Sequence, residues 1–407
     1  MGDQTKVESQ QNGVREPPSW INKELIQVAL CNAEEENPQV AAISVCCPAA
    51  AGDNYASTIY RAKATLSNGK ERSLIIKGPA PGVTVSSIAR ESGLFQREIT
   101  MLVEVIPQME ALLEEAAPGR FPPLAPRCYH HGTSPVEFLV LEDLAPSGFT
   151  IADRKRGLGL RHTLLALRTL ARFHAASFAL LKRQPEVAET LPNIWRKIFE
   201  SNKEFVEVEI RGAANACRSW PGFEKYADPL EKFKFVALDT YSDLNEAKPE
   251  AFNVITHGDF WVNNMMFRYE DGKVKEHRAI DLQISHVASP AADLVYFLSG
   301  SLSSNVHEQH QDLLLREYHH ELKETLELLG LQAPSLEELL TAVDLHGPLS
   351  LIMTMGLPFM KADRGVDLEA IMGGDVSAVV PLFELPDVKK WIQRVLPDYV
   401  RRGWLRV

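Results

Sequence analysis

Two carboxylates and an amide stand at spacings that could support phosphate chemistry. Asp259 precedes Asn264 by five residues, and Asp281 follows beyond the turn pair Asp271-Gly272. If that pair is the two-residue loop of a hairpin, Asn264 faces Ala279 and lies diagonal to Asp281 on one face, within side-chain reach. An amide oxygen and a carboxylate at the open end of a hairpin suit Mg²⁺, which takes few protein ligands. The pattern therefore predicts a magnesium site.

Asp259 is the candidate catalytic residue beside this metal site. A carboxylate in the turn before Asn264 can accept the proton of an attacking hydroxyl. The spacing matches the kinase catalytic loop, in which an Asp precedes a metal-binding Asn and a second metal-binding Asp follows. His257 is expected to orient the loop. An open alternative is a metal hydrolase that uses His257, Asp259 and Asp281 as ligands, and each residue taken singly is also typical of a structural role.

A kinase also needs a lysine on the phosphates and a glutamate that holds it. Lys77 is the last residue of an apolar run that is predicted to be a strand. If Asn68-Gly69 is the two-residue loop of a hairpin, Lys77 pairs with Tyr60 on the neighbouring strand. Because burying an unpaired charge is costly, Lys77 needs an anionic partner. Glu98, at the edge of the apolar stripe of the next helix, is the candidate, although a surface position is the alternative.

The segment 51–57 precedes the first strand of that hairpin and contains small residues and one glycine. Its backbone N–H groups could approach an anion, so Gly52, Asp53, Asn54 and Ser57 are candidate phosphate-binding residues. The segment lacks the G-x-G-x-x-G pattern, and the chain contains no G-x-x-x-x-G-K-[ST], which argues against a Walker-A fold. An ordinary turn is the alternative.

The run 139–144 is predicted to be the last strand before the chain enters a second lobe. Backbone groups at its end would meet an adenine edge, and the candidates are Leu141, Glu142, Asp143 and Leu144. An edge strand followed by a loop predicts the same sequence.

Strand patterns dominate up to about residue 144, and helical periodicity dominates after it. We therefore expect a disordered leader over 1–18, a sheet-bearing lobe over 19–144 and a mainly helical lobe over 145–407. His174 lies on the apolar face of a predicted helix and is interpreted as a core histidine. Asp293 is expected to cap or brace a helix behind the catalytic loop.

Composition limits the classes of protein. The 407 residues carry a formal net charge of −11, which disfavours a general nucleic-acid binder. The five cysteines show no Cys-x-x-Cys spacing, and the N-terminus lacks an apolar signal region. No uncharged apolar stretch reaches the length of a membrane span. We expect a cytoplasmic protein without a membrane span.

The run from His257 to Leu298, with Ile280-Asp281-Leu282-Gln283 inside it, resembles the ecdysteroid kinase-like family. That family is grouped with aminoglycoside phosphotransferases and choline kinases. The resemblance implies an α+β protein-kinase-like bilobal fold, with a small antiparallel-sheet N-lobe and a larger helical C-lobe. It implies transfer of the γ-phosphoryl group of ATP, with Mg²⁺, to a hydroxyl of an ecdysteroid or a related steroid or xenobiotic alcohol.

In the resemblance, Asp259 matches the catalytic residue, Asn264 and Asp281 match the metal ligands, and Lys77 with Glu98 matches the phosphate-holding pair. Gln283 belongs to the matching run as a supporting residue. A catalytically silent nucleotide- or hormone-binding protein on the same fold is the alternative, although all of these residues are present.

Overall fold

The computed structural model divides by its internal contacts into two units. One unit lies within Met1–Ser86 and Arg127–Asp143, and the other within Ser87–Pro126 and Leu144–Val407. Residues 92–126, which the sequence analysis assigned to the first lobe, thus group with the second unit. The described residues are 17–33, 37–48, 57–79, 92–201, 203–362, 370–371 and 373–406.

The first unit is a five-stranded antiparallel sheet with a helix on one face. The sheet order is β1-β2-β3-β5-β4. Its helix buries Ile26, Ala29 and Leu30 at helical spacing, and the sheet meets this stripe with alternate residues such as Ala62 and Ile76. The elements are α1 Lys23–Ala33, β1 Val40–Cys46, β2 Ser57–Leu66, β3 Glu71–Pro79, β4 Cys128–Gly132 and β5 Phe138–Glu142.

The register of the β2–β3 hairpin differs by one residue from the prediction. Lys77 pairs with Ile59 rather than with Tyr60. The cause is a longer loop, because the N–H of Gly69 bonds the Leu66 carbonyl and Gly69 has φ of 83°. A type I turn followed by a left-handed residue gives a three-residue hairpin loop. The two-residue loop was therefore wrong.

The predicted adenine-binding run is mostly built into the sheet. Strand β5 lies between β3 and β4, so Leu141 pairs with Ile75 on one side and with Cys128 on the other. The alternative of an edge strand does not apply at Leu141, because β4, a strand that the sequence pattern did not indicate, covers that side. The strand ends at Glu142, and Asp143 and Leu144 follow it.

Asp143 holds the end of β5 through its side chain. Its carboxylate accepts hydrogen bonds from Arg61 Nε at 2.7 Å and from Ser73 Oγ at 2.6 Å. Only 2% of the Asp143 side chain is exposed. The carboxylate thus ties β2 and β3 to the end of β5.

The second unit is mainly helical and carries two small antiparallel sheets, β6-β8-β9 and β10-β7. Together with the first unit, this is the α+β architecture that the sequence predicts. A π-helical segment, Met101–Val105, separates α2 from α3. The strands are β6 Phe149–Ile151, β7 Val254–Thr256, β8 Met265–Glu270, β9 Lys273–Ala279 and β10 His286–Ala288. The helices are α2 Leu94–Thr100, α3 Ile106–Ala116, α4 Leu160–Arg183, α5 Val187–Thr190, α6 Trp195–Ser201, α7 Lys203–Ser219, α8 Ala227–Phe233, α9 Ala237–Leu244, α10 Pro290–Gly300, α11 Ser304–Gln309, α12 Gln311–Leu328, α13 Leu336–Leu345, α14 Pro348–Lys361, α15 Val380–Phe383 and α16 Pro386–Arg401.

Helix α4 forms the centre of one core of this unit. It packs along α12 and against β7 and β9, and it buries Leu167, Leu170 and Ala171. Among the described residues, α4 is long and apolar enough to span a membrane. Helix α13 and the segment Pro348–Pro358 pass the same criterion only when taken together, and the angle between them is 56°. In α4, 67% of the apolar window is buried, as in the core helix of a globular unit.

We predict that Asp143→Ala lowers the free energy of unfolding of the sheet unit by about 2 kcal/mol, because it leaves a guanidinium and a hydroxyl without their shared acceptor. Urea unfolding followed by tryptophan fluorescence measures this. Glu71→Ala, which removes an exposed carboxylate from the same sheet, is the matched control and should change little. Equal effects of the two substitutions would contradict the role given to Asp143.

Candidate active site

The loop over residues 257–264, which the sequence predicts to be catalytic and which is called the catalytic loop below, leaves β7 and brings Asp259 and Asn264 into direct contact. Asn264 ends a 3₁₀ turn, Val262–Asn264, and its Nδ2 donates to Asp259 Oδ2 at 2.8 Å and to the Asp259 carbonyl at 3.0 Å. The amide nitrogen is thereby committed to Asp259. The amide oxygen of Asn264 is the atom that can serve as a ligand to a cation, as the sequence analysis expects.

The β8–β9 hairpin has the predicted two-residue loop but not the predicted register throughout. Asp271 and Gly272 both have positive φ, as a type I′ turn requires. A bulge between Arg268 and Tyr269 then shifts the pairing by one residue, so that Met265 faces Ala279. The expected pairing of Asn264 with Ala279 was wrong, because a bulge adds one residue to one strand.

Asp281 follows β9 in an unusual backbone conformation. Its φ is 68°, in the left-handed region that non-glycine residues rarely occupy. Such strain is found where surrounding structure fixes a functional residue. Asn264 and Asp281 therefore both lie just outside the strands, joined by a hydrogen bond from the Ile280 N–H to the Asn264 carbonyl at 3.0 Å.

The electrostatics of the loop favour a bound cation. Burial, and next the negative charge of Asp281, raise the pKa of Asp259 to about 6. Two carboxylates at close range in a partly buried site repel each other, and a divalent cation would relieve that repulsion. No group of three His, Cys, Asp or Glu side chains among the described residues could hold a metal by itself. Asn264 and Asp281 thus fit Mg²⁺, which takes its other ligands from water and phosphate.

Tyr296 is a site residue that the sequence analysis missed. Its hydroxyl donates to Asp259 Oδ1 at 2.5 Å, while Asn264 bonds the other oxygen. Tyr296 lies three residues after Asp293 on α10, so helical spacing from a residue already singled out could have found it. Because both oxygens of Asp259 are held, its carboxylate has a fixed orientation.

Asp293 braces the catalytic loop from behind. Its carboxylate accepts from the His257 N–H at 2.7 Å and from the Gly258 N–H at 2.9 Å. His174 Nε2 lies 3.0 Å away, and its Nδ1 lies 2.7 Å from the hydroxyl of Tyr318. Burial raises the pKa of Asp293, but the hydrogen bond and charge of His174 outweigh it and lower the pKa. His174 is a satisfied core histidine, and it positions Asp293.

His257 orients the loop rather than pointing into it. Its Nε2 lies 3.1 Å from the Ile280 carbonyl, and its Nδ1 accepts from the Asp259 N–H at 3.3 Å. Burial lowers the pKa of His257, so a neutral ring that donates from Nε2 and accepts at Nδ1 satisfies both contacts. Both nitrogens are therefore used, and His257 is not placed as a metal ligand.

The other predicted residues lie in several elements. Lys77 is 3% exposed on β3, and Glu98 is 1% exposed on α2; their pairing stays a prediction. Ser57 begins β2 and is buried, as is Gln283 in the segment after Asp281. Three further candidates lie outside the described residues: Gly52, Asp53 and Asn54.

Arg97 links the helix that carries Glu98 to the segment that follows Asp281. Its Nη1 donates to the Ser285 carbonyl at 2.7 Å. Burial lowers the pKa of Arg97 to about 10, which still leaves it charged. No sequence pattern predicts this contact, because the two residues are far apart along the chain and no periodicity joins them.

The antiparallel sheet, the helical unit and the Asp259–Asn264–Asp281 loop define a small-molecule phosphotransferase of the protein-kinase-like bilobal class. The chain belongs to the ecdysteroid kinase-like family, whose model matches residues 51–331. The predicted family and fold class are thus confirmed. No curated protein matches the chain.

Solved structures resemble the chain at low identity. A putative aminoglycoside phosphotransferase from Ralstonia eutropha JMP134 has a TM-score of 0.48 at 11% identity and covers 92% of this chain and 98% of its own. The GDP and kanamycin complex of APH(2″)-IIIa has a TM-score of 0.43 at 12% identity, with 92% and 99% covered. The GDP complex of a mutant aminoglycoside 2′-phosphotransferase IIIa has a TM-score of 0.46 at 12% identity, with 93% and 99% covered.

We predict that Gly258→Ala abolishes most phosphotransfer. Gly258 has φ of 83°, and a Cβ there would lie 2.5 Å from the Ile284 carbonyl oxygen, so the loop must shift. A misplacement of that kind costs about 100-fold in turnover. Gly330→Ala is the control, because φ is 73° with nothing within 4 Å, and it should cost stability only. Similar turnover of the two variants, measured by phosphorylated product, would show that the loop tolerates the shift.

Proposed function

We propose that the protein transfers the γ-phosphoryl group of ATP to a hydroxyl of a small molecule. The observation that carries the proposal is the contact of Asp259 with Asn264, five residues later, beside the charge of Asp281. This is the arrangement by which kinases orient a hydroxyl and hold magnesium next to it.

In the proposed reaction the acceptor oxygen forms a bond to the γ-phosphorus, and the bond from that phosphorus to the β–γ bridging oxygen breaks. ADP leaves, and the proton of the hydroxyl passes to Asp259. Tyr296 and Asn264 hold the two oxygens of that carboxylate, so its direction is fixed before the acceptor binds. Magnesium, held by Asn264 and Asp281, would neutralise charge that develops on the phosphates.

Nucleotide binding is proposed for the residues that the sequence patterns single out for it. Lys77 would contact the phosphates and Glu98 would hold Lys77, while Gly52, Asp53, Asn54 and Ser57 would approach the phosphates with backbone N–H groups. The adenine would meet the backbone after β5. Because the backbone of Leu141 and Glu142 is taken up by the sheet, we propose Asp143 and Leu144 for that contact.

The acceptor is proposed to be an ecdysteroid or a related steroid or xenobiotic alcohol. Membership of the ecdysteroid kinase-like family supports this class. An apolar acceptor would also suit the aromatic side chains near the loop. Burial, followed by the negative charge of Asp259, raises the pKa of Tyr241, which places this phenol near Asp259. The Tyr241 ring in turn contacts the Trp195 ring edge-on, with 4.9 Å between the ring centroids. The metal-hydrolase alternative is disfavoured, because both nitrogens of His257 are engaged within the protein.

We predict that Asp259→Asn lowers turnover by about three orders of magnitude, because general-base assistance contributes about 10²–10⁴-fold, while ATP affinity stays near normal. The measurements are ADP release with a panel of ecdysteroids, other sterols, phenols and choline, phosphorylated product by mass, and ATP binding by calorimetry.

Asp271→Asn is the matched control, since Asp271 is an exposed residue of the hairpin turn. This variant should turn over like the natural protein. Near-normal turnover of Asp259→Asn would exclude Asp259 as the residue that receives the proton. ATP binding without ADP release for every alcohol would favour a silent binding protein.

A further inference from the structure

A basic cavity lies between helix α4 and the β8–β9 hairpin. Its volume is about 270 Å³, and α4 packs against β9 beside it. Four of the side chains that line it are basic and one is acidic, namely Arg168, Arg172, Arg268 and Lys275 against Glu276. The whole chain, by contrast, has a net charge of −11. Like charges in one concavity repel each other unless an anion lies between them.

Two arginines on successive turns of α4 are held in place by carboxylates of α12. Arg168 Nε donates to Glu317 Oε1 at 2.6 Å, and Arg172 Nε donates to Glu321 Oε1 at 2.6 Å. The Arg172 guanidinium also lies over the ring of Phe121, 5.5 Å from its centroid. Among the described residues, neither Nη atom of Arg172 has a hydrogen-bond partner. This guanidinium is thus oriented in advance and keeps donors for a ligand, which lowers the cost of binding.

Lys275 is the extra residue of a β-bulge in β9. The pairs on either side of it are Arg268 with Glu276 and Tyr269 with Val274, so Lys275 has no residue opposite it. Bulges re-aim a side chain and are frequent beside functional sites. Here the side chain lines the cavity, and no described residue forms a hydrogen bond or an ion pair with it. Its ammonium group therefore adds a charge that the protein does not neutralise locally.

The other polar groups of the wall do not neutralise this charge either. Glu276 already accepts from Arg268 Nε at 3.1 Å and from Arg278 Nη2 at 2.8 Å. His277 is 2% exposed, and neither of its ring nitrogens has a partner among the described residues. Burial, and next the proximity of His257 and Arg278, lower the pKa of His277 to about 3, so the ring is neutral. The wall thus keeps both positive charge and an unused N–H donor.

We propose that this cavity binds a phosphate group, either free phosphate or the phosphate of a small monoester. Guanidinium and ammonium groups are the usual partners of phosphate. Its tetrahedral oxygens accept from several directions, which matches donors that approach from a helix and from a strand, whereas a carboxylate accepts in one plane. The volume of about 270 Å³ lies just below the range of pockets for drug-sized ligands. The site therefore suits an ion or a small molecule rather than a nucleotide.

The cavity is distinct from the proposed metal site. Asn264 and Asp281 flank the ends of β8 and β9 that are remote from the hairpin turn, whereas Arg268 and Lys275 lie nearer to that turn. Binding of phosphate in the cavity therefore does not depend on the proposed phosphotransfer, and it can be measured without nucleotide or magnesium.

The test measures phosphate binding to the full chain by calorimetry at constant ionic strength, because salt screens exposed charges. Lys275→Met removes the charge without a partner and should weaken binding about tenfold, the worth of one charge-assisted hydrogen bond. Arg172→Gln should weaken it similarly, while glutamine can still donate to Glu321. Lys273→Met is the matched control, since Lys273 is an exposed lysine of the same strand that does not line the cavity. This variant should bind phosphate like the natural protein.

Ethyl phosphate and acetate complete the comparison. Tighter binding of ethyl phosphate than of free phosphate would assign the site to a monoester, and the reverse would assign it to free phosphate. No phosphate binding by the natural protein, equal phosphate affinity of Lys275→Met and the natural protein, or acetate binding as tight as that of phosphate would each overturn the proposal. If Arg172→Gln lowers the denaturation midpoint, Lys275→Met decides the test alone, because Lys275 is exposed and holds no other group.

Discussion

The catalytic loop depends on one buried carboxylate, that of Asp293. Two consecutive backbone N–H groups of the loop donate to it, and His174 Nε2 of α4 lies 3.0 Å from one of its oxygens. Without this acceptor, both N–H groups would be buried and unsatisfied, which is expensive in a low-dielectric interior. Helices α4 and α10 and strand β7 therefore meet around the same group. The same carboxylate therefore joins helices of the core and fixes the backbone of the loop that carries Asp259.

Asp259, by contrast, lies at a partly buried position close to the negative charge of Asp281. Tyr296 and Asn264 donate to it, which stabilises the ionised form, whereas burial and Asp281 raise its pKa. The left-handed backbone of Asp281 keeps this second carboxylate close in spite of the repulsion. A divalent cation at this place would relieve the repulsion, which is why these residues fit the proposed magnesium site.

Sequence patterns could predict the elements and the chemistry but not the atomic register. The periodicity of residues 161–183 and the turn pair Asp271-Gly272 are local signals, and both are present as predicted. The bulge at Arg268 and the three-residue loop at Gly69 shift pairing by a single residue, and no hydrophobic pattern encodes that shift. Tyr296 and Arg97 were missed because their contacts depend on tertiary packing of α10 and α2.

Two buried carboxyl groups of the helical unit, Asp293 and Glu209, have pKa values shifted in opposite directions. Asp293 has donors from the loop and from α4, and these overcome its desolvation and lower its pKa. Glu209 has desolvation without compensation, and its pKa rises. A group of the first kind is explained by the structure that it holds. A group of the second kind costs the fold stability, because burial opposes its ionised form.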